Sequence, residues 1–234
     1  MRVEVDSFSI GHGLENGDSV GELTSGSSTI LAIADGVGSS QYSHQSSRLA
    51  IEAAIDVLSG GGASAMPAAF KAAKQAVTTR AIEMSARSMS TTLTVCCVVS
   101  KSVFFGHVGD SRLYHLRGEG LQTRTTDQTE VQHLLSQGVI SRERAKRYPR
   151  KNVLLSAISS NSSYDLQTGS FEIEAGDRIL LVTDGIHNQI GKKEIALMSL
   201  KNQSTFDFMT YLKSGLEKVG IVDDSSALCA TFLN

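Results

Sequence analysis

The sequence predicts an α+β fold: two antiparallel β-sheets packed as a sandwich and flanked by pairs of helices. Three observations lead there. Short apolar, β-rich runs recur along the chain, among them Thr29–Ala34 (TILAIA), Thr91–Val99 (TTLTVCCVV) and the run near 178–183 (RILLVT). Two long stretches of helical periodicity, 43–58 and 66–87, follow one another. Several of the β-rich runs are adjacent and separated only by small polar turns, which is hairpin patterning. Pieces of sheet thus enclose paired helices, with more strands before a final helix.

Taken in order, Thr29–Ala34 ends at Asp35 and reads as a buried strand. Residues 43–58 place Leu49, Ala50, Ala53, Ala54, Val57 and Leu58 on one helical face. Residues 66–87 do the same with Met66, Ala69, Phe70, Ala73, Ala76 and Val77. Pro67 falls near the start of that second helix, where its missing N–H costs little. Ser59–Ser64 (SGGGAS) is expected to be a short flexible loop between the two. Thr91–Val99 and Val103–Val108 form one expected hairpin, and Arg112–Arg117 and Leu121–Thr125 another around Gly118-Glu119-Gly120. Short helices are expected at 129–137 and 141–147, with Asp127 as a cap for the first. Strands follow near 153–159, 166–173 and 178–183, Asp177 standing in a turn before the last. A helix near 204–218 and a strand at 227–233 close a single expected domain, 1–234.

The 234 residues carry 22 basic and 24 acidic side chains, a formal charge of −2, which is poor equipment for gripping a nucleic-acid backbone. No apolar run reaches the roughly 18–20 residues of a membrane span. Met1–Asp6 reads as neither a signal nor a transit peptide, so the expected compartment is the cytoplasm. Cys96 and Cys97 are neighbours on a strand and point to opposite faces. They suit neither a zinc site nor a disulfide, and with Cys229 they lie in apolar runs as packing residues.

The informative residues are aspartates. Asp35 ends ILAIA, Asp110 follows FFGHVG, Asp184 ends RILLVT, Asp223 precedes SALCATF, and Asp18 lies in a Gly-rich stretch. Taken singly, Asp35-Gly36 and Asp184-Gly185 read first as turns. Taken together, strand-end carboxylates converge on one rim of a sandwich. There they repel one another, and they need either protonation or a cation. Hard cations such as Mg²⁺ and Mn²⁺ prefer such oxygens, and a pair of them is a common device for phosphoester hydrolysis.

In order and spacing these motifs resemble the PPM/PP2C family of metal-dependent protein serine/threonine phosphatases, in its compact bacterial form. Asn16-Gly17-Asp18 stands where the family has Asn-x-Asp, and Ala34-Asp35-Gly36-Val37-Gly38 is similar to its Asp-Gly-x-Gly. Gly109-Asp110-Ser111-Arg112 matches Gly-Asp-Ser-Arg. Thr183-Asp184-Gly185 supplies the next aspartate, and Asp223-Asp224-Ser225-Ser226 matches the closing Asp-Asn-x-Thr. The resemblance implies Asp18, Asp35, Asp184 and Asp223 as the catalytic carboxylates. It implies two Mn²⁺ or Mg²⁺ ions held by these and the Gly36 carbonyl, and a third, weaker ion held by Asp110. It further implies direct hydrolysis of phosphoserine and phosphothreonine by a two-metal-activated water, phosphorylated protein substrates, an opposing serine/threonine kinase, and a monomer that spans no membrane and binds no nucleic acid. A mobile flap is expected over about 137–160.

Some positions depart from the family pattern. Gly13, beside His12, stands where a phosphate-gripping Arg is usual. Gly17 replaces Glu or Gln, Val37 stands where some members carry His, and Ser40 and Ser43 replace His and Gly. His12 and the basic residues of Ser141–Lys151, Arg144 and Arg147 above all, are the candidates to bind substrate instead. That basic run also reads as a solvated helical face. Two rivals stay open: a pseudophosphatase that binds phosphoproteins without turnover, motivated by Gly13, and a two-metal nuclease, motivated by the basic run. The retained aspartates argue against the first. The charge of −2 and the lack of interleaved aromatics argue against the second.

Overall fold

Alternation along the central strands builds three apolar layers at once. In the strand Leu93–Val99, Leu93, Val95 and Cys97 face one layer, and Cys96 and Val98 face the next. In Arg178–Val182, Ile179 and Leu181 join that second layer while Leu180 and Val182 face a third. Strands buried on both faces must be apolar throughout, which is why they read as continuous runs.

The computed structural model describes residues 1–26, 28–38 and 42–234. The first half runs β1 (Arg2–Ile10), β2 (Asp18–Ser25), β3 (Ser28–Asp35), α1 (Ser43–Gly61), α2 (Met66–Glu83), β4 (Ser90–Thr91), β5 (Leu93–Val99), β6 (Ser102–Val108), β7 (Arg112–Arg117) and β8 (Gly120–Thr123). The second runs α3 (Glu130–Ser136), α4 (Arg142–Lys146), β9 (Ile158–Ser159), β10 (Gln167–Glu172), β11 (Arg178–Val182), α5 (Asp184–His187), α6 (Lys192–Lys201), α7 (Thr205–Val219) and β12 (Ser225–Leu233). One antiparallel sheet has the order β1-β12-β11-β7-β8 and the other β10-β6-β5-β3-β2. They pack through Leu31, Ile33, Phe105, Leu181 and Phe232. Helices α1 and α2 cover the second sheet through Ala50, Ala54, Phe70 and Ala73, and α6 and α7 cover the first through Ile195, Met198, Phe208 and Leu212. The expected α-β-β-α sandwich is the observed one.

Several local expectations differ. Ser59–Ser64 is not an open loop: α1 runs on to Gly61, Gly62 breaks it at φ 61°, and a turn of 3-10 helix at Ala63–Ala65 leads into α2. The strand expected at 153–159 shrinks to Ile158–Ser159, paired only with Ser90–Thr91. Asp127 is not a helix cap. Thr129 caps α3, while Asp127 receives both arms of Arg112 at 2.9 and 2.6 Å. Asp177 is more than a turn residue: its buried carboxylate accepts from His115, Arg117 and the Glu174 N–H. Ser40 lies outside the described residues. Cys96, Cys97 and Cys229 are buried free thiols. Among the described residues no helix is long and apolar enough to cross a membrane.

Leu31 has no exposed surface and sits between the two sheets. Leu31→Ala is therefore expected to lower stability by about 2–5 kcal/mol in urea unfolding, a large-to-small core loss. Leu197→Ala, on an exposed face of α6, is expected to change it by no more than about 0.5 kcal/mol.

Candidate active site

Strand ends from both sheets meet at one rim of the sandwich. Asp18 opens β2 and Asp35 closes β3, and the two are direct cross-strand partners. Asp110 lies in the turn where the chain passes from β6 in one sheet to β7 in the other. Asp184 follows β11 as the first residue of α5, and Asp223 lies just before β12. Asp18, Asp110 and Asp184 are buried, Asp35 is half-buried and Asp223 is exposed.

The local backbone leaves little freedom here. A Cβ on Gly36 would fall 2.2 Å from the Ser43 carbonyl oxygen, and one on Gly185 would fall 2.1 Å from that of Asp224, so neither position admits a side chain. The Gly36 N–H donates to the Gly17 carbonyl at 3.1 Å and the Val37 N–H to that of Ser90 at 3.0 Å. The peptides on both sides of Gly36 are thus pinned, which fixes where its own carbonyl points. Thr183 joins the sheets. It accepts the Ser226 N–H at 2.9 Å and donates its hydroxyl to Asp18 Oδ2 at 2.8 Å. Asp18 Oδ1 is buried with no partner.

Electrostatics follow from that crowding. Burial pushes Asp18 up to about 7, and the Asp224 and Asp184 charges add to it. Asp35 is held well above the usual carboxylate range by burial and then by Asp18, Asp184, Asp110 and Asp223. Burial, with the Asp184 charge, lifts Asp110 to about 8. Burial and Asp223 lift Asp184 to about 6, opposed by the Gly185 N–H, Lys151 and Arg112. His187 donates Nε2–H to the Asp110 carbonyl at 3.0 Å, and its buried Nδ1 has no partner. Burial holds it neutral, down to about 4.

An oxygen-only donor set with an orphaned buried carboxylate oxygen and mutually repelling charges fits hard divalent cations. Among the described residues no single point is ringed by three acidic, His or Cys side chains. A cation here would therefore take a few protein oxygens and complete its shell with water, as Mg²⁺-type ions prefer.

The sequence profile of the Protein phosphatase 2C family matches residues 7–228. The chain belongs to this family. It is 35% identical over 109 residues to the protein phosphatase PhpP of Streptococcus pneumoniae, covering 47% of this chain and 44% of that one. This chain spans about half the length of the curated relatives it matches. The structure of the serine/threonine phosphatase PstP/Ppp of Mycobacterium tuberculosis superposes with a TM-score of 0.88 at 26% identity, over 99% of both chains. A PstP catalytic domain in complex with two manganese ions gives a TM-score of 0.86 at 26% identity, again over 99% of both.

The rim thus gathers the five aspartates expected from the sequence. The candidate substrate residues are more scattered. His12 lies in the exposed turn after β1. Arg144 and Arg147 line a cavity of about 580 Å³ with Tyr148 and Pro149. A different cavity, about 330 Å³, reaches Asp110 and His187, and the flap contributes Lys146 and Lys151 to it. Arg112, Lys146 and Arg150 are already paired, with Asp127, Glu143 and Glu130. Lys151 makes no ion pair among the described residues. Thr183 and Asp224 were missed from the sequence, and Lys151 was read only as one of the basic run Ser141–Lys151. The one available signal was that Thr183 and Asp224 each adjoin a strand-end aspartate.

Carboxylates with raised values bind protons that the unfolded chain has already released between about pH 4 and 8. Without metal, stability is therefore expected to fall as pH rises through this window. In EDTA at pH 8, Asp35→Asn should raise Tm by at least about 2–4 °C, the shift 1 kcal/mol gives a chain of this length. The same variant should abolish any rise on adding Mn²⁺, both being read by differential scanning calorimetry.

Proposed function

We propose that this chain hydrolyses phosphoserine and phosphothreonine on proteins, with Mn²⁺ or Mg²⁺ held at the carboxylate rim. The observation that carries the reading is the rim itself: strand-end carboxylates from both sheets, buried against their own repulsion, in a chain of the protein phosphatase 2C family. When bound, a pair of such ions supplies an activated water and neutralises charge on the phosphoryl oxygens. In this reading Asp35, at the focus of the other four charges, would hold the ions together with Asp18, Asp184, Asp223 and the pinned Gly36 carbonyl, and Asp110 would hold a third, weaker one. Thr183 keeps Asp18 oriented through its hydroxyl bond. His187 braces the Asp110 backbone.

Gly13 offers the phosphate no cation. We assign that part to Lys151, which is unpaired, shares the cavity with Asp110, and whose charge acts on Asp184. Arg144 and Arg147, on a separate cavity, are assigned to the protein part of the substrate. The reading brings with it an opposing kinase, and action as a monomer in the cytoplasm. The complete set of strand-end aspartates favours turnover over a pseudophosphatase.

The test is hydrolysis of p-nitrophenyl phosphate and of a phosphothreonine peptide with Mn²⁺, with Mg²⁺ and with EDTA, beside a nuclease assay. Turnover of both phosphoesters that EDTA abolishes is expected. Nuclease activity alone would overturn the reading. Asp35→Asn and Asp184→Asn should abolish turnover, whereas Asp110→Asn should weaken it and leave the central pair bound. Lys151→Ala should raise KM for p-nitrophenyl phosphate about tenfold, the worth of one charge-assisted hydrogen bond, with kcat little changed. Arg144→Ala with Arg147→Ala should affect the peptide more than the small ester, and less so at high salt.

A further inference from the structure

Asp224 is tied into the rim by two bonds. Its Oδ1 accepts the His12 N–H at 2.8 Å and its Oδ2 accepts the Gly17 N–H at 2.6 Å. These amides bracket the crossover from β1 in one sheet to β2 in the other, so a residue at the start of β12 closes that turn. Gly17 in turn holds the candidate cation ligand. Its carbonyl accepts the Gly36 N–H and, at 2.6 Å, the Ser47 hydroxyl.

The space around Gly17 is the second observation. A Cβ built there would lie 3.3 Å from Asp224 Oδ2, 3.3 Å from the Gly36 carbonyl oxygen and 3.1 Å from Ser43 Oγ. The Asp224 carboxylate and the Gly36 carbonyl therefore flank one point, the point from which a side chain on residue 17 would reach. The third observation is Asp18, the next residue, 3% exposed, which keeps Oδ1 buried without a partner among the described residues. A buried acceptor left open at the rim is the mark of a missing cation or its water.

We propose that Asp224 is a further acidic residue of the cation site. Its carboxylate stands in for the side chain that residue 17 lacks, adding negative charge beside the Gly36 carbonyl while its amide bonds fix the turn. The inference rests on the cation reading above. An asparagine at 224 would bring no charge and only one acceptor oxygen, so it could keep one of the two amides at most.

The experiment is Mn²⁺ binding by isothermal titration calorimetry, with free Mn²⁺ counted by electron paramagnetic resonance. It compares wild type, Asp224→Asn, Gly17→Glu and the double variant Gly17→Glu/Asp224→Asn. Wild type should bind two ions. Asp224→Asn should weaken the looser of them by at least about tenfold, the usual scale for groups that support a metal ligand. The double variant should recover most of that loss, because the carboxylate is returned from residue 17. Gly17→Glu alone, which crowds a second carboxylate against Asp224, should lower Tm in EDTA. A variant that unfolds without metal is read from the Mn²⁺ concentration that refolds it. If Asp224→Asn binds two ions as wild type does, or the double variant recovers nothing, Asp224 is only a clamp on the turn and the inference is wrong. If wild type binds no Mn²⁺, both this inference and the cation reading fall.

Discussion

Mutual repulsion among desolvated carboxylates is the constraint on which the rest of this structure depends. Five aspartates are brought to one rim, and the charges of four of them act on Asp35. No chain assembles such a cluster unless something else holds the strand ends together. Here it is three apolar layers, with the central strands of both sheets buried on both faces. Close to the rim the work passes to backbone. Gly36 and Gly185 let segments approach so closely that a methyl group would not fit. Thr183 carries a hydrogen bond from β12 through its hydroxyl to Asp18 on the opposite sheet. The site is therefore held by the sandwich and strains it at the same time, and a bound divalent cation would relieve that strain.

The buried strands were legible because a strand covered on both sides has to be mostly apolar, as the runs Ile30–Ala34 in β3, Val95–Val99 in β5 and Ile179–Val182 in β11 are. Of the edge strands, β8 and β10 were legible, but β1 and β2 were not. β1 alternates charge with valine, and β2 mixes glycine, glutamate and serine, since each is covered by one neighbour and open on the other side. The segment 153–159 has strand composition, yet it finds only a single bridge from Leu154 to Thr129 and a two-residue pairing with Ser90–Thr91. Composition carries no information about whether a partner strand is present. Likewise SGGG reads as a break, but helix α1 is carried through Gly60 and Gly61 by the turns before it, and ends where Gly62 takes a positive φ.

Within the site the same division applies. Asp35 and Asp184, each ending an apolar run, read singly as turns and became legible only as members of a set of strand-end aspartates. Residues whose roles come from distant contacts did not. Thr183 acts on a residue 165 positions away, and Asp224 on amides 207 and 212 positions away. The flap shows a related limit. Its basic residues look alike in sequence, but Glu130 takes Arg150 and Tyr148, and Glu143 takes Lys146. Lys151 makes no ion pair among the described residues and lines the cavity that reaches Asp110. Arg142, Arg144 and Arg147 likewise make no ion pair among the described residues, so it is position on that cavity, not charge or pairing alone, that sets Lys151 apart.

The central claim is that the carboxylate rim exists to hold a pair of cations. Anomalous diffraction at the manganese edge, from crystals grown with Mn²⁺, tests it most directly. The account predicts two peaks about 3.5–4 Å apart, the spacing of a two-metal hydrolytic centre, with the Asp35 carboxylate between them and the Gly36 carbonyl beside one. An empty rim, or manganese found only elsewhere on the molecule, would contradict it.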